Sequence, residues 1–381
     1  MSRENDSPVV FLRRNDLQRL LDALIDRGYR PVGPRVADGA IIYGDLSRVE
    51  ELPEGWTDEQ DGGHYRLAKR SDDALFGYAA GPQSWKKFLF PSSQPVLVAD
   101  QPTATLTPAG DAEGDRPYAF IGVRSCELHA IAIQDRVFTG GPYRDAGYGG
   151  RRERSFIVAV NCGTAGGTCF CVSMRTGPKA SSGYDLALTE FAGDSRRGFV
   201  VEIGSEQGAA VMAGVPSETA SAQDRQRAEA IVQQTADHMG RRMETSGIKE
   251  LLYRNLEHPR WNEVANRCLS CGNCTMACPT CFCSTVDDAS DLSGNRAERR
   301  RSWDSCFTGD FSFIHGGSIR PTTRSRYRQW MTHKLGTWYD QFGTSGCVGC
   351  GRCITWCPVG IDITEETAAI RATDGLKEGG V

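Results

Sequence analysis

Two copies of one cysteine pattern stand in the last third of the chain. They read Cys268-x2-Cys271-x2-Cys274-x3-Cys278-Pro279 and Cys347-x2-Cys350-x2-Cys353-x3-Cys357-Pro358. Three thiolates on a tight CxxCxxC turn can reach three irons of one cubane, whereas the fourth cysteine, displaced by a turn and a proline, points elsewhere. In two-cluster ferredoxins this fourth cysteine binds the other cluster, so the pattern predicts two [4Fe–4S] clusters with crossed ligands.

The crossed arrangement predicts two ligand sets. One is Cys268, Cys271, Cys274 and Cys357, and the other is Cys347, Cys350, Cys353 and Cys278. Glycines keep side chains away from the sulfurs and leave backbone N–H groups free to bond to them, at Gly272, Gly349 and Gly351. Zinc is the alternative occupant, but a zinc site takes four ligands in total and rarely repeats this string.

The N-terminal half carries four more thiols, which is the number that one cubane needs. They are Cys126, Cys162, Cys169 and Cys171. We expect a third [4Fe–4S] cluster there; the alternative is a group of packing or redox-active thiols, because Cys-x-Cys is not a standard cubane spacing. His129 lies one helical turn after Cys126 and is a further candidate ligand, although a lone helical histidine is more often structural.

Three cysteines stay outside these sets, namely Cys281, Cys283 and Cys306. They are candidates for alternative metal ligands, for an electron exit, or for part of a partner's site. The competing interpretation is that each is simply a small buried hydrophobe.

Basic side chains cluster between and beside the two motifs. They are Arg296, Arg299, Arg300, Arg301, Arg320, Arg324, Arg326, Arg328 and Lys334. Such runs are usually solvated faces. Because a cubane with four thiolates is anionic overall, nearby cations could instead offset its charge, raise its potential or dock an acidic partner, and their position favours this second interpretation.

The elements that must position these residues begin with an α/β N-terminal domain. Apolar residues from Leu17 to Ile25 recur with helical period, so a helix is expected to begin at Asn15 or Asp16 and to end at Gly28. Four strands are predicted, at Ala40–Tyr43, Tyr118–Val123, Phe156–Val160 and Gly198–Ile203.

A helix at about residues 127 to 137 separates the second and third of these strands. Strand, helix and strand in this order predict a parallel pair with a right-handed crossover. Cys126 and Cys162 follow the carboxyl ends of the two strands, where open α/β sheets place their ligands. We therefore expect these two thiols at one edge of the sheet.

A linker-like stretch at residues 213 to 219 places a domain boundary near 215. The domains predicted are residues 1–215, with the possible third cluster, and residues 216–381, with the two clusters. The sequence from 216 to about 275 has helical periodicity, and about seventy residues separate the motifs. A mostly α-helical dicluster ferredoxin-like domain fits this better than a compact ferredoxin with flanking hairpins.

Composition excludes several classes of protein. The 381 residues are 39% hydrophobic and 24% charged, which is ordinary for globular domains. A formal charge of -4 gives no general attraction to nucleic acid. The sequence predicts no membrane span and no secretion signal. Its 15 clustered cysteines are typical of a reducing compartment, so we expect a cytoplasmic protein.

Motifs for nucleotide or substrate chemistry are missing from the sequence. We find no GxGxxG after a strand, no GxxxxGK[ST], no HExxH and no GxSxG. Hydride or substrate chemistry would need a cofactor that this sequence has no evident means to hold. The role that the motifs predict is a relay that accepts and passes on single electrons.

Several strings in the chain resemble a known family. GVRSCELHAI, VNCGTAGGTCFC, CLSCGNCTMACPTCFC, WDSCF and CVGCGRCITWCPVGIDI resemble, in the same order, the beta subunit of soluble sulfhydrogenase-type NiFe hydrogenases. The match runs from about residue 118 onward, and all twelve cysteines of the three sets fall on it. The electron-carrying subunit of anaerobic sulfite reductase looks closely related and shares the same layout.

The resemblance implies partners for the relay. They are a flavoprotein subunit that carries FAD and binds NAD(P)H, and a hydrogenase small and large subunit pair that carries nickel and iron. This chain would then be an electron-transfer subunit of an oxidoreductase complex, without a substrate site of its own. The alternatives are the corresponding carrier of a sulfite reductase complex and an iron–sulfur redox sensor or scaffold.

Overall fold

The computed structural model describes residues 9–101, 103–108, 116–193 and 196–375. Its strands are, in chain order, β1 (Val9–Arg13), β2 (Arg30–Ala37), β3 (Ala40–Asp45), β4 (Trp56–Asp61), β5 (His64–Lys69), β6 (Ser93–Asp100), β7 (Thr105–Pro108), β8 (Tyr118–Val123), β9 (Phe156–Val160), β10 (Leu186–Phe191), β11 (Gly198–Ile203), β12 (Glu218–Thr219), β13 (Ser284–Ser290), β14 (Arg296–Trp303), β15 (Phe313–Ile314) and β16 (Gly317–Ser318).

The α-helices are α1 (Leu17–Asp26), α2 (Lys86–Leu89), α3 (Ser125–Phe138), α4 (Ala146–Glu153), α5 (Cys171–Met174), α6 (Glu206–Met212), α7 (Ala222–Asp237), α8 (Ile248–Arg254), α9 (Arg260–Arg267), α10 (Asn273–Met276), α11 (Thr323–Thr332), α12 (Trp338–Phe342), α13 (Arg352–Thr355) and α14 (Ile363–Ala372). Short 3-10 turns lie at Arg14–Asp16 and Val49–Glu51, and a π-helical turn at His333–Thr337. None of the helices in the described residues is both long enough and apolar enough to cross a membrane.

One mixed sheet dominates the N-terminal half, in the order β12-β1-β11-β10-β9-β8-β2-β3. Its middle strands β10, β9, β8 and β2 run parallel, and the flanking pairs are antiparallel. The strands predicted at Tyr118–Val123, Phe156–Val160 and Gly198–Ile203 are confirmed with the same bounds, as is the parallel pairing of the first two. The strand predicted at Ala40–Tyr43 extends to Asp45.

Helices cover both faces of this sheet because its central strands are apolar on both sides. Leu17 and Leu24 of α1 pack with Phe156 and Val158 on one face. Leu128 and Ile131 of α3 pack with Ile157 and Ala159 on the other face. The N-terminal region is therefore an α/β layered structure, as predicted.

A second sheet joins distant parts of the chain in the order β13-β14-β6-β7. β14 contains the arginine run between the two cysteine motifs, and it pairs with β6 from the N-terminal half. The sequence did not predict these strands. The rest of the C-terminal region is mainly helical, with a core that includes Trp261, Met331 and Ile354.

The segment after residue 215 stays attached to the large sheet. β12 pairs with β1, and Ala228 of α7 packs with Phe11 and Phe191. The helical pattern expected from 216 to about 275 is confirmed by α7, α8 and α9. The boundary near 215 stays a prediction.

A fully buried ion pair ties the two regions together. Arg352, from the second cysteine motif, is 0% exposed and donates to Glu127 of α3 at 2.8 Å. The Tyr43 hydroxyl donates to the same carboxylate at 2.9 Å, and Arg352 also donates to the Gly81 carbonyl oxygen. Removing one member of such a pair leaves a buried charge without its partner, which is strongly destabilising.

Glu127→Gln is therefore expected to lower the free energy of unfolding by about 3 kcal/mol. Anaerobic chemical denaturation followed by circular dichroism measures this change. Asp288→Asn is the matched control, because it breaks the exposed pair of Asp288 with Arg299, and it should leave stability almost unchanged. Equal stability of the two variants would show that the buried pair does not hold the regions together.

Candidate iron–sulfur centres

The first cysteine motif folds as a loop that leads into one helical turn. α9 ends at Arg267, and Cys268 already has extended backbone dihedrals. Ser270 and Gly272 take positive φ values of 53° and 75°, and these turn the chain back into α10. The Ser270 N–H donates to the Cys268 sulfur at 3.4 Å. A backbone donor of this kind stabilises a thiolate ligand.

The thiols of the first predicted ligand set line one cavity. Its wall includes Cys268, Cys271, Cys274 and Cys357, backed by Phe307, Tyr327 and Trp330. Burial, and then the neighbouring thiols of Cys268, Cys357 and Cys271, raises the pKa of Cys274 well above its usual value. The last cysteine of the second motif thus reaches the first motif, as the crossed arrangement requires.

The second motif repeats the local structure of the first. Gly351 has a φ of 76° and leads directly into α13, just as Gly272 leads into α10. The Gly349 N–H donates to Cys347 Sγ at 3.4 Å, and the Ile361 N–H donates to Cys357 Sγ at 3.3 Å. These donors are the backbone N–H groups that the sequence leaves free around the sulfurs.

The second predicted ligand set also comes together. Burial, and then the thiols of Cys347, Cys350 and Cys278, raises the pKa of Cys353 well above its usual value. Cys353 also lines the cavity of the first set. The two sets therefore adjoin each other.

A buried lysine lies against the second set. Lys334 belongs to the π-helical turn, and its Nζ lies 3.2 Å from Cys278 Sγ and 3.6 Å from Cys281 Sγ. Burial lowers the pKa of Lys334, but the thiols, Cys278 first, outweigh burial and raise the pKa well above its usual value. The ammonium group stays protonated and brings a positive charge to these sulfurs.

The four N-terminal thiols converge as well. Cys126 lies in the first turn of α3, directly after β8, and Cys162 follows β9. The Cys169 N–H donates to the Gly166 carbonyl oxygen at 3.0 Å, which folds the glycine-rich loop back. Burial, and then the thiol of Cys162, raises the pKa of Cys169 to about 12. Burial, and then Cys162 and Cys169, raises the pKa of Cys171.

Close backbone contact places this N-terminal set beside the second motif. The Phe170 N–H donates to the Gly349 carbonyl oxygen at 2.8 Å. A Cβ atom at Gly349 would lie 2.6 Å from the Phe170 carbonyl oxygen, and one at Gly351 would lie 2.4 Å from Thr168 Oγ1. Both glycines also have positive φ. Glycine is therefore required at both positions for two reasons: the turn needs a positive φ, and the packed loop leaves no room for a Cβ atom.

Cys350 belongs to the second set and is also a neighbour of the N-terminal set. After burial, its thiol contributes most to the raised pKa of Cys126. Its carbonyl oxygen lies 4.0 Å from Cys169 Sγ. The three thiol groups therefore follow one another in space, from the N-terminal set through the second set to the first.

Buried cations lie around these thiols, and they bear on whether an anionic cluster fits the site. Arg124 is 2% exposed, and it lowers the pKa of Cys162 against the larger effect of burial. Within the described residues, Arg124 Nε and Arg352 Nη1 are buried and find no hydrogen-bond partner. Buried charges and donors are costly unless an anionic partner offsets them. A cubane with four thiolates is such a partner, so the residues fit the group.

The spacing of the thiols bears on the zinc alternative. In the described ranges, no three His, Cys, Asp or Glu side chains are arranged to hold a single metal ion. Thiolates of a cubane bind different irons and stand further apart than the ligands of one zinc ion.

The three remaining cysteines lie beside the second set. The neighbouring thiol of Cys278 raises the pKa of Cys281, and Cys281 in turn lowers the pKa of Cys278. The neighbouring thiol of Cys306 is the main cause that lowers the pKa of Cys283 to about 7.

Most of the basic residues picked out in the sequence pair with carboxylates rather than with thiols. Arg299, Arg300 and Arg301 of β14 pair with Asp288, Glu298 and Asp145, and Arg324 and Arg328 pair with Glu257. Lys334 is the member of the run that hydrogen-bonds to cysteine sulfurs. His129 is half-buried on α3, and its burial lowers the pKa of its imidazole.

Sequence reasoning missed the buried cations Arg124, Arg352 and Lys86. Two of them carry a signal in the sequence, because Arg124 directly follows an all-apolar strand and Arg352 stands between two motif cysteines. The Lys86 ammonium donates to the Cys281 carbonyl oxygen at 3.2 Å and lies 3.9 Å from the ring centroid of Trp303. A charged residue in an apolar or ligand-rich context indicates a buried partner of opposite charge.

Comparisons with known proteins agree with this geometry. Residues 267–361 match the family described as a 4Fe-4S dicluster domain. Over 272 aligned residues the chain is 31% identical to the sulfhydrogenase 2 subunit beta of Pyrococcus furiosus. The aligned region covers 71% of this chain and 77% of that protein. No solved structure matches the chain.

These matches confirm the resemblance found in the sequence and support an iron–sulfur electron-transfer role. The dicluster match spans both cysteine motifs and the three cysteines between them. The chain belongs to the family of sulfhydrogenase beta subunits.

Proposed function

We propose that this chain carries electrons between a flavoprotein subunit that uses NAD(P)H and a small and large subunit pair with a nickel–iron centre. FAD and the nickel–iron centre belong to those partners, and the chain itself holds [4Fe–4S] clusters. The observation that carries this proposal is the continuous run of three thiol sets. Single electrons move between clusters held this closely, and no substrate needs to enter the chain.

The proposal assigns three ligand sets. Cys268, Cys271, Cys274 and Cys357 hold the first cluster, and Cys347, Cys350, Cys353 and Cys278 hold the second. Cys126, Cys162, Cys169 and Cys171 hold a third. The helical C-terminal region then acts as a ferredoxin-like dicluster domain, in the cytoplasm.

The first cluster lies at the surface end of the relay. Cys271 is exposed, and so are the apolar side chains of Leu269, Met276 and Val359 near it. Leu269, which lines the cavity of the first set, is 63% exposed. An apolar rim around an exposed ligand suits a redox partner that must bring its own cofactor close.

The protein's own residues set the conditions for transfer. Backbone N–H groups of Ser270, Gly349 and Ile361 donate to ligand sulfurs and stabilise the reduced clusters. Lys334 adds a positive charge at Cys278. The clusters supply the one-electron chemistry, and hydrogen bonds to their sulfurs tune the potential.

Analysis of iron and acid-labile sulfide tests the cluster content. Anaerobically purified chain should contain about twelve irons and about twelve sulfides, because each cubane holds four of each. About eight irons would remove the third cluster from the proposal. Zinc without inorganic sulfide would contradict the relay itself.

Purification of the assembled complex tests the partners. We expect nickel and a flavin to co-purify with the tagged full-length chain under anaerobic conditions. Metal analysis and absorbance spectra measure both. Sirohaem in place of nickel would assign the chain to a sulfite-reducing complex, and the absence of any flavin subunit would favour a sensor or scaffold.

Lys334→Met is expected to lower the midpoint potential of the second cluster by about 60 mV, the one-electron equivalent of about 1.4 kcal/mol. The ammonium group favours the more negative, reduced cluster, so its loss makes reduction harder. Redox titration followed by electron paramagnetic resonance measures the shift.

Two control variants accompany this redox titration. Lys334→Arg keeps the charge and should retain most of the potential. Lys249→Met removes an exposed ammonium group that pairs with Asp340, and it should leave the potential unchanged. Equal potentials for Lys334→Met and the unmodified chain would contradict the role given to Lys334.

A further inference from the structure

A short hairpin holds apolar side chains in solvent. Phe313 of β15 pairs with Ser318 of β16, and the Ile319 N–H donates to the Ser312 carbonyl oxygen at 3.2 Å. Phe313, Ile314 and Ile319 are 63%, 56% and 57% exposed. Successive side chains of a strand point to opposite faces, so both faces of the hairpin are open to solvent. An isolated two-stranded hairpin is only marginally stable in water, and a surface that packs on it would stabilise it.

The segment that carries this hairpin is rich in positive charge. Residues 310–328 include four arginines, one aspartate and no glutamate, although the whole protein has a formal charge of -4. Two of the arginines, Arg324 and Arg328, pair with Glu257. In the part of the chain that the structure describes, Arg320 and Arg326 have no carboxylate partner, and the Nε atom of each is buried without a hydrogen bond. Such guanidinium groups are costly without an anion, so they indicate an acidic partner.

Arg326 connects this segment to the first cysteine motif. Its Nη1 donates to the carbonyl oxygens of Arg320 and Pro321 at 3.1 and 3.0 Å. Its Nη2 donates to Ser270 Oγ at 3.5 Å. Ser270 directly precedes Cys271, which is the exposed cysteine of the first ligand set. The basic segment is therefore held against the loop that brings the first cluster closest to solvent.

The mixture of groups on this side of the molecule distinguishes a transient partner from a permanent subunit. Interfaces of permanent complexes are large and mainly apolar, whereas transient electron-transfer encounters are small and are steered by charge. Here a few exposed apolar side chains lie among arginines, around a cluster ligand that reaches solvent. A partner that fits carries carboxylates around a redox centre near its own surface.

We propose that this side of the chain docks a soluble, acidic electron-carrier protein, which exchanges single electrons with the first cluster. One electron leaves the reduced carrier and enters the cluster, or passes the other way; no covalent bond forms or breaks. The inference rests on the proposed function, because a docked carrier needs a cluster at Cys271, and it adds an electron route that does not use the flavoprotein. The docking surface consists of Leu269, Phe313, Ile314, Ile319, Arg320 and Arg326.

Rapid mixing with a plant-type [2Fe–2S] ferredoxin, a small acidic carrier, tests the proposal. The full-length, cluster-loaded chain and the ferredoxin are mixed anaerobically, one reduced and one oxidised, in the direction that their potentials favour. Absorbance changes then give the second-order rate constant. We expect this constant to fall about tenfold between about 20 mM and about 500 mM salt, because opposite charges steer the encounter. With cytochrome c, a basic carrier, the salt dependence should have the opposite sign.

Variants locate the docking surface. Arg320→Gln combined with Arg326→Gln should lower the rate constant with ferredoxin about tenfold at low salt. Arg296→Gln combined with Arg299→Gln removes the same charge from β14 and is the matched control, which should react as the unmodified chain does. Phe313→Ser combined with Ile314→Ser should weaken docking without unfolding the chain, because both side chains are mainly exposed. Reduction by methyl viologen, which needs no docking, should be the same in all variants.

Several results would overturn the docking surface. Equal rate constants in the arginine variant and its control, or a rate constant that salt does not change, would do so. A shift in the midpoint potential of the first cluster with an unchanged rate constant would assign the arginines to the cluster instead. Failure of the assembled complex to react with ferredoxin would show that another subunit covers this surface. A chain without iron would contradict the proposed function itself, whereas an iron-loaded chain that does not react with ferredoxin contradicts only the docking surface.

Discussion

The contact between one loop and two glycines governs how the cysteines are arranged. The loop from Thr168 to Cys171 lies directly on Gly349 and Gly351, at distances that leave no room for a side chain. This contact sets the N-terminal thiols beside the second motif and joins an α/β region to a helical region.

Charge balance is the second constraint on this arrangement. Three sets of thiolates in a largely buried region need positive charge nearby, and the structure supplies it through Arg124, Arg352 and Lys334. Arg352 serves two purposes, because it pairs with Glu127 across the two regions and lies beside Cys350. The same side chain thus stabilises the fold and the site.

The sequence predicted the parts of the molecule that local patterns encode. Tyr118–Val123 and Phe156–Val160 are continuous apolar runs, and they form the parallel strands expected of them. The repeated CxxCxxCxxxCP string predicts thiol sets that cross between motifs, and Cys357 does line the cavity of the first motif. Periodicity and spacing are sufficient for such features because neighbouring residues determine them.

Other features depend on pairing between distant segments, which no local pattern reveals. The sequence of β14 is a run of basic residues with no clear strand pattern. It forms a strand because β6, some two hundred residues earlier, pairs with it. Most of its arginines were expected near the clusters, but nearby carboxylates bind them.

An anomalous iron map from crystals grown without oxygen tests most directly whether the thiols share iron cubes crosswise. The account predicts three compact peaks, with Cys357 against the irons of the first motif, Cys278 against those of the second, and a third peak among the N-terminal cysteines. A peak bound by Cys268, Cys271, Cys274 and Cys278 alone, or a map without iron, would contradict it.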